Sequence, residues 1–167
     1  MERIDAPHAA DERTMLIAWL DWHRATVFAK TEGLAEDLAH RPLLASSPLM
    51  TVAGLVSHLY WVERGWIETT LLGGPDDQPW SEEDPDKDFR ADGTPLAELL
   101  AAYERQCAAN NAAVRSLGLD TESVLERGGD RGHVTLRWIL LHLIEETARH
   151  NGHIDILREM LDGVTGD

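Results

Sequence analysis

The chain has a single cysteine, Cys107, so no internal disulfide can form and nothing calls for an oxidising compartment. Basic residues are scarce: 15 Lys and Arg stand against 30 Asp and Glu, a formal net charge of -15. Binding to phosphate backbones needs clustered Lys and Arg, so nucleic acid is excluded as a partner class, and anionic membrane surfaces are disfavoured on the same ground. An anionic small molecule is not excluded, because one Arg or one metal ion reverses the sign inside a pocket. No apolar run approaches the roughly 20 residues that span a bilayer. The strongest, Trp138 to Leu141, runs straight into His142. The opening MERIDAPHAADER mixes both signs of charge and lacks the apolar core of a secretory signal, so a soluble cytoplasmic protein is expected. Alternating runs of β-branched residues are also missing, which argues against strands.

What the chain does have is helical periodicity, in four stretches, over a length of 167 residues that suits one domain. The first covers residues 11–38, with Leu16, Trp19, Leu20, His23 and Val27 at helical spacing, and ends before Pro42 and Ser46-Ser47-Pro48. The second starts at Thr51 as N-cap and carries Val52, Leu55, Leu59, Val62 and Trp66 on one side until Gly73-Gly74-Pro75. Thr94-Pro95, an N-cap followed by proline at the first helical position, announces the third. Its stripe is Leu96, Leu100, Tyr103, Cys107, Val114 and Leu117, and Gly118 stops it. The last runs from Thr135 to Leu161, before Asp162-Gly163. These stretches predict an all-α protein, a single antiparallel four-helix bundle over residues 1–167. Two irregular segments interrupt it: an acid-rich loop over residues 76–93 with Trp80 and Phe89, and a stretch with Gly128-Gly129 and Gly132. Loops of about 18 residues exceed what a bundle needs and are candidates for the walls of a substrate pocket; Trp80 is the aromatic there placed to cover a ligand.

The core stripe of the last helix carries polar residues. At about 100° per residue, Glu146 lies about 40° and His150 about 80° from the line through His142, beside Ile139, Leu143, Ile154, Leu157 and Leu161. Both are expected to point inward. A carboxylate buried without a partner costs several kcal/mol or shifts its pKa until neutral. In the second helix His58 shares the side of Leu55 and Val62, so it faces the core as well. Two imidazoles and a carboxylate, two of them one turn apart, form the three-ligand set of a catalytic zinc or related site with its fourth position open. The bland alternative is a packed core histidine and a Glu146 that pairs with Arg149 or another Arg.

The segments HLYWVERGW (His58 to Trp66) and HLIEETARHNGHIDILREMLDG (His142 to Gly163) resemble the DinB-like superfamily, in particular its short one-domain group related to mycothiol-dependent enzymes. LDWHRATVFAKTEGL (Leu20 to Leu34) and residues 47–54 fit the same group, so the resemblance covers nearly the whole chain. It implies a four-helix bundle with metal ligands on the second helix and, four residues apart, on the last: His58, Glu146 and His150. Glu rather than His at the first place of the pair is similar to the mycothiol-dependent maleylpyruvate isomerases. Those isomerases have an additional C-terminal domain, a departure that counts against the isomerase substrate, while the simpler one-domain mycothiol S-transferases remain comparable. Position 23 departs from relatives, which often have Gln where this chain has His23. The implied activity is thiol S-transfer or a thiol-assisted isomerisation: a divalent metal, zinc favoured with nickel, manganese and iron also compatible, holds mycothiol as a thiolate for attack on a small electrophile. Small-molecule thiol and electrophile are the expected partners, and homodimers are common among relatives.

Alternatives remain for the neighbouring residues. His153 is an extra ligand, a partner of a ligand or a proton shuttle, and His23 is a pocket residue or core filler. Arg149 holds a substrate carboxylate or a surface ion pair, the latter preferred. His142 reads as a boundary residue, Cys107 as a small core residue rather than a nucleophile, and His8, His40 and His133 as solvent-exposed. Metal-activated water attacking an ester or amide, with His153 or His23 as base, is a second enzymatic reading, and a metal-stabilised scaffold without chemistry a third.

Overall fold

The computed structural model describes residues 1–126 and 132–165; Gly128 and Gly129 of the second irregular stretch lie outside them. It is all-α, as the periodicity predicts, with no strand among the described residues. Helix α1 (Glu12–Thr31) starts at Asp11, whose side chain accepts the Thr14 amide. It stops earlier than expected, because Gly33 takes a left-handed conformation (φ 71°) and separates off the single-turn α2 (Glu36–Ala39). Helix α3 (Val52–Arg64) is capped by Thr51, which accepts the Gly54 amide, and continues into a π-helical turn, Gly65–Leu71. Periodicity counted at a constant 100° per residue does not anticipate that wide turn. Helix α4 (Leu96–Val114) is flanked by Pro95 rather than capped by Thr94. Its Leu96 amide donates to the Glu36 carboxylate at 3.1 and 3.2 Å, so α2 supplies the cap. Helix α5 (Leu136–Asp162) is capped by Thr135 and closed by a left-handed Gly163.

Helix α1 packs on α5, α3 on α4, and α3 also on α5. The hydrophobic core has two parts. One gathers Val27, Leu55, Leu59, Tyr103, Cys107, Ile154 and Leu157; the other gathers Leu20, Ile67, Val114, Ile139 and Leu143. On every long helix a polar residue lies between the two: Arg24 on α1, Glu63 on α3, Asn110 on α4, and Glu146 and His150 on α5, all buried.

This polar waist is wired internally. Arg24 donates from Nε and an η nitrogen to both Glu63 oxygens at 2.6 Å, and from its other η nitrogen to Asp21 and Asn111 at 2.8 Å. Asn110 donates to Glu63 Oε2 at 2.8 Å. The network ties α1, α3 and α4 together before α5 adds its own polar pair.

Candidate metal centre

Three elements build the site. Helix α3 presents His58 and α5 presents Glu146 and His150, as their spacing predicts, and one ligand atom from each falls within 4.8 Å of the others. His58 Nε2 and His150 Nε2 both approach the same oxygen, Glu146 Oε1, at 3.2 Å. Glu146 and His150 are buried, and His58 is 13% exposed.

The third element is the acid-rich loop, whose 3-10 turn Lys87–Phe89 packs against α3. Asp88, buried, accepts from His58 Nδ1 at 2.6 Å. The turn is held in place by Ser57, which donates to the Asp88 carbonyl at 2.6 Å. Phe89 stacks on the His58 ring, centroids 4.1 Å apart, and meets His150 edge-on at 6.3 Å. Nothing in the sequence singles out Asp88 among the eight carboxylates of residues 76–93; its identity depends on which loop residue folds back on α3. Trp80 is half-buried in the same loop.

Gly54 makes this close approach possible. A Cβ there would lie 2.5 Å from the Leu49 carbonyl oxygen and 2.8 Å from that of Phe89, both backbone atoms. Gly54→Ala is therefore expected to cost about 1–3 kcal/mol, as overpacking does, and to loosen metal binding through the displaced turn; thermal melts and metal titration of the variant read the two effects.

Electrostatics follow the geometry. Hydrogen bonds from His150 and then His58, opposed by burial, hold the Glu146 carboxyl far below the usual carboxylate range. Burial disfavours a charged His58, but its hydrogen bonds to Asp88 and Glu146 outweigh this and raise its pKa above the ordinary imidazole value. In the neutral ring that a metal requires, Nδ1 still donates to Asp88 and Nε2 has a lone pair in place of the proton it otherwise shares with Glu146. A cation among the three atoms would satisfy that lone pair, the one on His150 and the carboxylate together, with both rings neutral. The donor set thus fits one divalent ion.

His153 lies just outside. Its Nδ1 is 3.2 Å from His150 Nδ1, so that nitrogen is engaged with a candidate ligand. Burial, then the nearby His150, lower its pKa, which favours a neutral ring whose Nδ1 can accept a hydrogen bond from His150. Arg149 is half-exposed and pairs both with Glu145 and with Glu146 Oε2, the latter at 3.1 Å. Arg149 is thus a half-exposed ion pair, the preferred expectation, and one of its partners is the candidate ligand Glu146. His23 is not in the cluster. Its ring packs edge-on against Trp22 at 5.1 Å and near Trp19, its carbonyl accepts from Asn151, and burial lowers its pKa. His142 stacks on Trp138 at 5.2 Å, one turn before Glu146. Cys107 is fully buried, and burial pushes its thiol well above the ordinary range.

No helix among the described residues is long and apolar enough to cross a membrane. A comparison with curated proteins finds no match. The family model for mycothiol-S-transferase matches residues 15–163, a span that includes every residue of the cluster, its partners Asp88 and Arg149, and all four long helices but the first turn of α1. The chain belongs to the mycothiol-S-transferase family.

Proposed function

We propose that this protein is a divalent-metal-dependent thiol S-transferase, active in the cytoplasm, that joins mycothiol to a small electrophile, with His58, Glu146 and His150 holding the metal. The observation that carries the reading is the convergence of two imidazole nitrogens on one buried carboxylate oxygen. A bound divalent cation supplies positive charge that lowers the pKa of a thiol and keeps it as thiolate at neutral pH. The chain's own residues supply the rest. Asp88 fixes the tautomer and tilt of His58, His153 does the same for His150, and Arg149 holds Glu146 Oε2 so that Oε1 turns to the histidines. Phe89 covers one face of His58 and keeps water from it. The attacking sulfur must come from outside the chain, since the one cysteine is sealed in the core.

The direct test is conjugation of mycothiol to a panel of electrophiles by metal-loaded protein. Thiol-dependent turnover is expected, and its absence across the panel overturns the reading. Asp88→Asn separates the orienting role from ligation: it is expected to lower metal affinity about 10–100-fold without changing helix content, measured by competition with a chelator.

A further inference from the structure

We propose that the apolar part of the electrophile sits in a cavity beside the metal centre, and that this cavity selects neutral or cationic electrophiles against carboxylates. The inference rests on the S-transfer reading for the reaction, though the cavity is there in its own right. It has a volume of about 390 Å3 and is lined by residues 46–50 together with Asp86 and Phe89. Phe89 is common to the two places: the ring that helps line the cavity also stacks on His58 and lies edge-on to His150. The cavity and the candidate centre thus adjoin at this one side chain.

The walls are fixed rather than incidental. The Leu49 and Phe89 carbonyls, one from each wall, both rest on Gly54, and Ser57 pins the turn that carries Phe89. A cavity of this size suits a compact ring or short chain, near the low end for small-molecule sites. Its lining offers Pro48, Leu49, Met50 and Phe89 for apolar contact and the Ser46 and Ser47 hydroxyls for hydrogen bonds.

The charge of the lining decides the class. Asp86 is the one ionisable lining residue, and no Lys or Arg is among them. The loop that carries Asp86 and Phe89, residues 76–93, has eight acids against Lys87 and Arg90, and Arg90 is paired with Asp84 at 2.7 Å. A carboxylate entering here would lose hydration and meet the negative potential of this loop, with no Lys or Arg in the lining to receive it. Arg149, the cation closest to the cluster, is already shared by Glu145 and Glu146.

Three chloroacetamides that share one reactive carbon test this with metal-loaded full-length protein and mycothiol. They are N-benzylchloroacetamide, its 4-carboxy analogue and chloroacetamide itself. In each the thiol sulfur bonds to the chloromethyl carbon, the carbon–chlorine bond breaks, chloride leaves and the thiol proton passes to solvent. The benzyl compound is expected to exceed its carboxy analogue in kcat/KM by at least about tenfold. Leu49→Trp, which fills the cavity, is expected to lower the benzyl value by at least about tenfold through KM and to lower chloroacetamide by a much smaller factor. Ser46→Trp, from the exposed rim, gives the same pattern if the first variant does not fold. Equal or better turnover of the carboxy compound, or variants that leave the benzyl compound unchanged, overturns the proposal. Should none of the three react, the S-transfer reading falls, and titration with unreactive N-benzylacetamide judges the cavity alone. Binding to wild type that the tryptophan variants lose upholds the cavity; no binding, or equal binding in all, overturns it.

Discussion

Replacing His150 with alanine is expected to lower affinity for a divalent metal by more than about 100-fold, beyond the 10–100-fold typical of an outer partner, and to abolish thiol-dependent turnover. The expectation follows from how few donors the site has. In the proposed set of His58, Glu146 and His150, removing one imidazole leaves a single nitrogen and a carboxylate that Arg149 already holds. The loss also strands His153, whose Nδ1 faces the deleted ring. His40→Ala is the control: it removes an imidazole that is hydrogen-bonded to Glu36 and belongs neither to the group of His58, Glu146 and His150 nor to that of His142, Glu145 and Glu146, and it is expected to leave metal affinity unchanged. Chelator competition on both variants reads the difference. Equal affinities in the His150 variant and wild type would remove the basis of the mechanism.

The largest stability effect is expected away from the centre. Arg24→Ala leaves Glu63, 1% exposed, with an uncompensated charge inside the bundle, and breaking such a pair by removing one partner costs about 3–5 kcal/mol. For a chain of this length that corresponds to a fall in Tm of about 10 °C. The pair itself is not therefore worth that much, since two charges were desolvated to make it. A double change, Arg24→Met with Glu63→Leu, is expected to recover most of the loss, because it removes both charges and restores packing. Urea and thermal unfolding of the two variants measure this. A single variant within about 1 kcal/mol of wild type would mean that water reaches Glu63 or that Asn110 alone can satisfy it.

The same buried pair shows where sequence reading succeeds and where it stops. Helix spacing placed Glu146, His150 and His58 on inward faces, because each shares a turn with apolar residues that are buried in the fold. The first helix was harder. Of the expected stripe Leu16, Trp19, Leu20, His23 and Val27, Leu20 and Val27 are buried but Trp19 is 44% exposed, and the buried line runs Leu20, Arg24, Val27, Thr31. That spacing of four, three and four was in the sequence, as was Leu59, Glu63, Ile67 on α3. A charged residue in a stripe reads as an interruption until its partner is known, and the partner lies 39 positions away. Asp88 was out of reach for a different reason. It belongs to a loop, where no periodicity assigns a face, and its approach to His58 depends on Gly54 and Ser57 receiving the turn.

Cobalt titration of the metal-free protein, followed by mycothiol, tests the central claim most directly, because cobalt reports both its ligands and the arrival of sulfur in its absorption spectrum. The account predicts saturation at one cobalt per chain, a spectrum of mixed nitrogen and oxygen ligation that His150→Ala abolishes, and a new sulfur-to-cobalt charge-transfer band when the thiol is added. A protein that takes up no cobalt, or a cobalt spectrum indifferent to both the variant and the thiol, would contradict it.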